Sequence, residues 1–192
     1  MEAHYLQQFG QAENNFTPLQ MARYIGILVN SGQDIDVTII KDIIDDEGKK
    51  VSKKEINEYV NNRLGIAKTE KKDVKFKDEY IAAILEGMRS VTTETGGTAY
   101  STFKNFDVEI GGKTGSAEAG VDPITNKNIV NAWFAGFAPY DNPEIAIVVL
   151  VENGSHGYYT AEIAKEILEV YFGLNTEIKE NREAIPYTEM AN

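Results

Sequence analysis

Apolar residues in this chain fall into two rhythms, one helical and one of strand length. Met21, Ala22, Ile25, Leu28 and Val29 recur at helical spacing, and Asn30-Ser31-Gly32 closes that segment. Its start is marked by Thr17 as N-cap, Pro18 at the first helical position and Gln20 completing a capping box. Phe16 and Met21 flank the cap as a hydrophobic staple. Ser52-Lys53-Lys54-Glu55 is a second capping box. It predicts a helix with Ile56, Tyr59, Val60 and Leu64 on a core face, Asn61 toward solvent and Gly65 at the end. Tyr80, Ile81, Ile84, Leu85, Met88 and Val91 predict a third helix, buried on that face. Ile163, Ala164, Ile167, Leu168 and Tyr171 form the stripe of a last helix, ended by Gly173.

The β-branched run from Val37 to Ile44, the turn Asp45-Asp46-Glu47-Gly48 and Lys49 to Val51 read as a hairpin. Val108 to Ser116, Asn131 to Tyr140 and Ile145 to Glu152 read as strands. The short Asp141-Asn142-Pro143-Glu144 turn makes the last two antiparallel neighbours. Thr92 to Tyr100 is a Thr/Gly loop, Ala119 to Asn128 a polar connection and Lys68 to Lys77 a charged, solvated connector. The order is helices, then a meander of strands, then a covering helix. This predicts an α+β fold, an antiparallel sheet with helices packed on it. Residues 1–15 are polar and weakly patterned; residues 1–174 are expected to form one domain, and 175–192 a polar tail.

Composition narrows the function classes. A net charge of −11 argues against non-specific binding of nucleic acid. The absence of cysteine excludes disulfides and thiolate chemistry. Met1-Glu2-Ala3-His4-Tyr5 has neither the basic nor the apolar region of a signal peptide. No apolar run reaches the ~18 residues of a membrane span. Export or anchoring is therefore expected to need a segment outside this chain. His4 lies in a weakly patterned segment and His156 in a Gly-rich loop, without a ligand cluster beside either. No metal and no cofactor is expected.

The candidate chemistry sits in Ile110-Gly111-Gly112-Lys113-Thr114-Gly115-Ser116-Ala117-Glu118. A strand here puts Lys113 and Gly115 on one face, and Thr114 and Ser116 on the other. Gly111, Gly112 and Gly115 would let a ligand or another backbone lie flat against it. Three readings compete: a Gly-rich turn with a solvated lysine, a phosphate loop, and the K-T-G element of the penicillin-recognising serine enzymes. The phosphate loop requires glycine five residues before Gly112, where this chain has Asp107, an acid that repels phosphate.

Further residues favour the third reading. Gly10-Gln11, Phe16-Thr17-Pro18-Leu19-Gln20-Met21-Ala22, Gly87-Met88-Arg89 with Val91, Gly96-Gly97-Thr98-Ala99, Gly112-Lys113-Thr114-Gly115-Ser116-Ala117-Glu118 and Trp133-Phe134-Ala135-Gly136-Phe137-Ala138-Pro139 follow one another in order. Together they resemble the transpeptidase domain of penicillin-binding proteins, of the class B monofunctional type, over about residues 8 to 173. The resemblance implies the C-terminal part of the beta-lactamase/transpeptidase-like fold. It also implies peptidoglycan cross-linking: a serine attacks the D-Ala-D-Ala end of a stem peptide, and beta-lactams acylate the same serine.

Carried over by position, Lys113 would place positive charge beside the substrate carboxylate and the proton relay. Thr114 and Ser116 would offer it hydroxyls, and the Ser116 N–H would be an oxyanion-hole donor. Gly112 and Gly115 would let the peptide lie along the strand. Ser116 stands where threonine is more usual and keeps the hydroxyl. The resemblance further implies a twist or bulge that lets lysine and both hydroxyls serve one cleft.

The family's S-x-x-K and S-x-N motifs precede the Thr17-Pro18-Leu19-Gln20 stretch and are not in this chain. Ser101-Thr102-Phe103-Lys104 matches S-x-x-K literally, but in a loop without helix signals, and Tyr59-Val60-Asn61 matches Y-x-N inside an amphipathic helix. Both read as structural. The chain alone is therefore expected to carry the substrate-binding strand without the nucleophile. Its partners are expected to be the rest of the domain and, in the complete domain, stem peptide and beta-lactam at the outer face of the cell membrane. Alternatives are a fragment of a class D beta-lactamase, a D,D-carboxypeptidase or a beta-lactam sensor. A non-catalytic interaction module that self-associates through its exposed surfaces also remains open.

Overall fold

The structure, a computed structural model, describes residues 16–35, 37, 40–65, 74–154 and 156–174. Expectations for Gly10-Gln11, His4 and the tail 175–192 lie outside the described residues, as do residues 36, 38 and 39 of the predicted hairpin region and 66–73 of the charged connector region.

The first helix, α1 (Pro18–Val29), starts where its cap predicts. The Thr17 hydroxyl accepts from the Gln20 N–H, and the Gln20 side chain returns the bond to the Thr17 N–H. Ile25 and Leu28 are its buried anchors. Among the described residues, the expected hairpin shows one bridge, between Ile44 and Lys50 around the Asp45–Gly48 turn. The Asp45 carboxylate accepts from the Glu47 and Lys49 N–H groups, and backbone bonds from Asp45 N–H to Lys49 and from Val51 N–H to Ile43 cross the turn beside it.

Helix α2 (Lys53–Leu64) has both predicted ends, a Ser52/Glu55 capping box and a left-handed Gly65. Its predicted core face is not buried. Tyr59 is 70% exposed and Leu64 65%, whereas Asn61, expected in solvent, is half-covered. Helix α3 (Asp78–Thr93) buries Met88 and Thr92, with Ile81 and Leu85 packed beside Met88. Tyr80 and Ile84, assigned to the same stripe, are exposed. The Thr/Gly loop is shorter than expected, because α3 runs to Thr93 and a one-turn helix α4 (Tyr100–Phe103) follows. Ser101 therefore lies on a helix, contrary to expectation, but one of a single turn, on which it is exposed.

Strands β1 (Gly111–Val121), β2 (Asn128–Ala138) and β3 (Ile145–Val151) form an antiparallel sheet in the order β1-β2-β3. β1 and β2 take in much of the polar connection and meet at a turn built on Asp122. The Asp122 carboxylate accepts from the Ile124 and Thr125 N–H groups, which hold it below the usual carboxylate range. The last helix, α5 (Tyr158–Tyr171), follows β3.

β2 is central, and alternate residues feed two cores. Phe134 and Ala138 join Ile147, Val149, Phe103, Ala161, Ala164 and Leu168 on the α4/α5 face. Ala135 and Phe137 join Ile25, Leu28 and Met88 on the α1/α3 face. Helices thus cover both faces of the sheet. The stripe of α5 is rotated from the predicted one. Thr160, Ala161, Ala164 and Leu168 face inward, while Ile163, Ile167 and Tyr171 are exposed. Small residues win because the helix backbone lies close over Phe134, and an alanine fills the gap that remains.

Candidate active-site wall

Lys113, Thr114, Gly115 and Ser116 lie in the first half of β1, and three anchors fix where that half begins. The Thr92 hydroxyl, on the last turn of α3, donates to the Ile110 carbonyl. The Tyr140 N–H donates to the Glu109 carbonyl at 2.8 Å. The Arg89 guanidinium bonds the Glu109 carboxylate in a fork, Nε at 2.6 Å and Nη2 at 3.2 Å. This pairing pulls the Glu109 carboxyl below its ordinary range and holds the Arg89 charge more firmly still. Tyr140 completes the cluster: its ring stacks beneath Arg89 and its hydroxyl donates to Glu86 at 3.3 Å.

From that start the register with β2 is unbroken, from Gly111 opposite Phe137 to Glu118 opposite Val130. The irregularity lies between Glu118 and Val121, beyond the motif. The expected bulge within Lys113–Ser116 is therefore absent, because every residue there has a direct partner on β2. Simple alternation holds, with Thr114 and Ser116 on the α4/α5 face and Lys113 on the other.

The glycines act differently from one another. A side chain at Gly112 would stand 2.5 Å from the Phe134 ring, so its bareness is used by the core rather than by a ligand lying on that face. Gly115 faces only the Trp133 Cβ, at ordinary contact distance. From the other side, the backbone of Gly157 closes on Gly115 so tightly that a Cβ there would lie 2.6 Å from the Gly115 carbonyl oxygen. That approach brings the start of α5 against the motif. The Gly157 N–H donates to the Ser116 hydroxyl at 3.3 Å.

The polar side chains follow from this frame. Ser116 and Lys113 are exposed, and the Lys113 ammonium donates to the Thr114 carbonyl. Thr114 is 8% exposed, and its hydroxyl pairs with the Thr98 hydroxyl at 2.6 Å. An amide can only donate, so Ser116 accepts from Gly157 and its own proton stays available to an anion. Beyond these groups lies the outer edge of β1. β2 pairs one edge, and no strand among the described residues pairs the other. An exposed cation, a hydroxyl proton and an unpaired strand edge suit a ligand that is part peptide and part carboxylate.

The profile of the penicillin binding protein transpeptidase domain family matches residues 4–169. The chain belongs to that family.

Two relatives and one solved structure set the scale. The chain is 28% identical over 173 residues to penicillin-binding protein 2A of Bacillus subtilis, covering 85% of this chain and 23% of that protein. It is 30% identical over 185 residues to penicillin-binding protein 2B of Streptococcus pneumoniae, covering 88% and 24%. It superposes on penicillin-binding protein 2 of Pseudomonas aeruginosa, solved in complex with WCK 5153, with a TM-score of 0.67 and 26% identity, covering 88% of this chain and 32% of that one. The chain thus spans about a quarter of the length of the curated relatives it matches. The beta-lactamase/transpeptidase-like fold implied by the resemblance is the fold of its structural neighbours.

Ser101 and Lys104 of the literal S-x-x-K are exposed on and just after the single turn α4. Tyr59 is exposed on α2 instead of facing a core. Among the described residues, no group of three or more His, Asp or Glu is placed to hold a metal ion, and no helix is long and apolar enough to cross a membrane. Two residues that touch the motif have no role in the sequence reading, Thr98, present there only as part of the Gly96-Gly97-Thr98-Ala99 match, and Gly157. Both lie far from it along the chain, and only packing brings them to it.

Proposed function

We propose that this chain forms the substrate-carboxylate wall of a serine D,D-transpeptidase site, the chemistry that cross-links peptidoglycan. The reading rests on one observation above the others: the outer edge of β1 is unpaired among the described residues and carries exposed Lys113 and Ser116. A stem peptide adds to that edge as an extended strand, its terminal carboxylate at the Ser116 hydroxyl proton, while the Lys113 ammonium, on the opposite face and bonded to the Thr114 carbonyl, contributes its charge across the strand. The same features receive the carboxylate of a beta-lactam.

In this reading Lys113 supplies the positive charge. Ser116 donates its hydroxyl proton to the carboxylate, and its N–H joins the oxyanion hole. Thr114 acts from a sheltered position through its hydroxyl, and Gly112 and Gly115 keep the strand narrow. The acylated serine comes from the part of the domain beyond these residues, at the outer face of the cell membrane. Neither Ser101 nor Tyr59 substitutes for it.

The test is labelling with a fluorescent penicillin. The longer protein that carries this chain is expected to form a covalent adduct, and the 192-residue chain alone to form none. An adduct on the isolated chain would overturn the division of roles. No adduct on the longer protein would overturn the activity.

A further inference from the structure

The Thr98–Thr114 pair has no place in the roles given so far. The two hydroxyls meet at 2.6 Å across sixteen residues of sequence, and either oxygen can donate. Thr114 is 8% exposed, while Thr98 stands exposed beside it. A lone hydroxyl rotates to suit its surroundings, and its proton direction is undefined until a neighbour fixes it. Thr98 is such a neighbour, and it is itself held firmly. The Ala99 N–H donates to the Val91 carbonyl at the end of α3, and the Gly97 N–H donates to Glu94 at 2.8 Å. Ala99 is fully buried in the core under α5. The loop that carries Thr98 is therefore clamped on both sides of it.

We propose that Thr98 is a positioning residue for ligand recognition, acting through Thr114. With Thr98 donating, the Thr114 oxygen is filled as an acceptor and its own proton is directed outward. Ser116 is in the same condition, because Gly157 N–H fills its oxygen. Thr114 and Ser116 are two apart on one face of a regular strand, about 7 Å. The wall then presents two hydroxyl protons on one face, each held outward by a donor from a different element. A carboxylate accepts hydrogen bonds and gives none, so it is the ligand group such a row selects. Losing Thr98 leaves Thr114 free to turn its proton inward, which weakens initial binding and leaves the chemical step in place.

The inference rests on the transpeptidase reading, and the experiment separates the two. In the longer protein, stopped-flow acylation by a fluorescent penicillin resolves the dissociation constant of the first complex, Ks, from the acylation rate constant, k2. Thr98→Val should raise Ks about tenfold, the effect of one hydrogen bond to a charged group, with k2 within about twofold. Thr98→Ser, which restores the hydroxyl, should return Ks to within about twofold of the native value, and both variants should melt with the native protein. Three results would overturn the proposal: an unchanged Ks in Thr98→Val, a loss confined to k2, or a loss that serine does not restore. A Thr98→Val protein that melts early is judged by Thr98→Ser alone, and a raised Ks in that variant would also overturn it. A native protein that is not acylated contradicts the transpeptidase reading instead.

Discussion

Helix α2 carries strong local signals and the first half of β1 weak ones, yet it is β1 that the fold holds in place. α2 has a complete capping box, a left-handed glycine at its end and an apolar stripe, and it buries no residue. β1 has a weak strand composition rich in glycine, and its start is held by Thr92, Tyr140 and Arg89 while aromatic rings close on both faces. Capping chemistry decides that a helix forms, and it does not decide whether the helix meets anything. Strand β1 is specified by its neighbours. A candidate site belongs on the second kind of element, where geometry is fixed from several directions.

The contrast can be broken at its strongest point, the Phe134 ring under Gly112. In the longer protein, Phe134→Ala should cost about 3–5 kcal/mol in a denaturant titration, because a fully buried ring leaves a cavity. A loss under about 1 kcal/mol would mean that the strand is not held by this contact. Gly112→Ala should cost about 1–3 kcal/mol by overpacking against the same ring. Combined with Phe134→Leu, it should cost less than the sum of the two single changes, because they share one contact.

The Arg89–Glu109 fork gives a smaller and pH-dependent effect. The Glu109 carboxyl is held below its ordinary range by Arg89, so the stabilisation is complete above the unfolded pKa. It is lost as pH falls through the depressed folded value. Melting temperature against pH should therefore drop less steeply below the usual carboxylate range in Glu109→Gln than in the native protein. Both partners are more than a third exposed, so solvent screening keeps the contribution small. The smallest effect is expected on α2. Tyr59→Ser should change stability by no more than about 0.5 kcal/mol and leave penicillin labelling unchanged. A large loss there would show that α2 is covered in the longer protein.

Legibility followed range. Thr17 and Ser52 announced their helices because a cap is a contact three residues long. The antiparallel pairing of β2 with β3 followed from the short Asp141–Glu144 turn between them. Motif residues Lys113 to Ser116 were legible as a pattern, but their environment was not. Thr98 reaches Thr114 across sixteen residues and Gly157 reaches Ser116 across forty-one, and no local rule carries such contacts. The rotation of α5 was hidden for the same reason, since it depends on the ring of Phe134 on another element. Of the twist or bulge that the resemblance implied at the motif, the bulge is absent because both strands keep full pairing through Glu118.

The central claim is that β1 is the wall on which the ligand carboxylate rests, and Lys113 is its most exposed test. The decisive measurement is the second-order rate of acylation by a fluorescent penicillin in Lys113→Ala of the longer protein, with the adduct mapped by peptide digestion. The rate should fall at least about a hundredfold, as expected for removing a charge that acts in the reacting complex. The residual adduct should map outside the residues of this chain. A native rate, or an adduct on Ser101, would contradict the account.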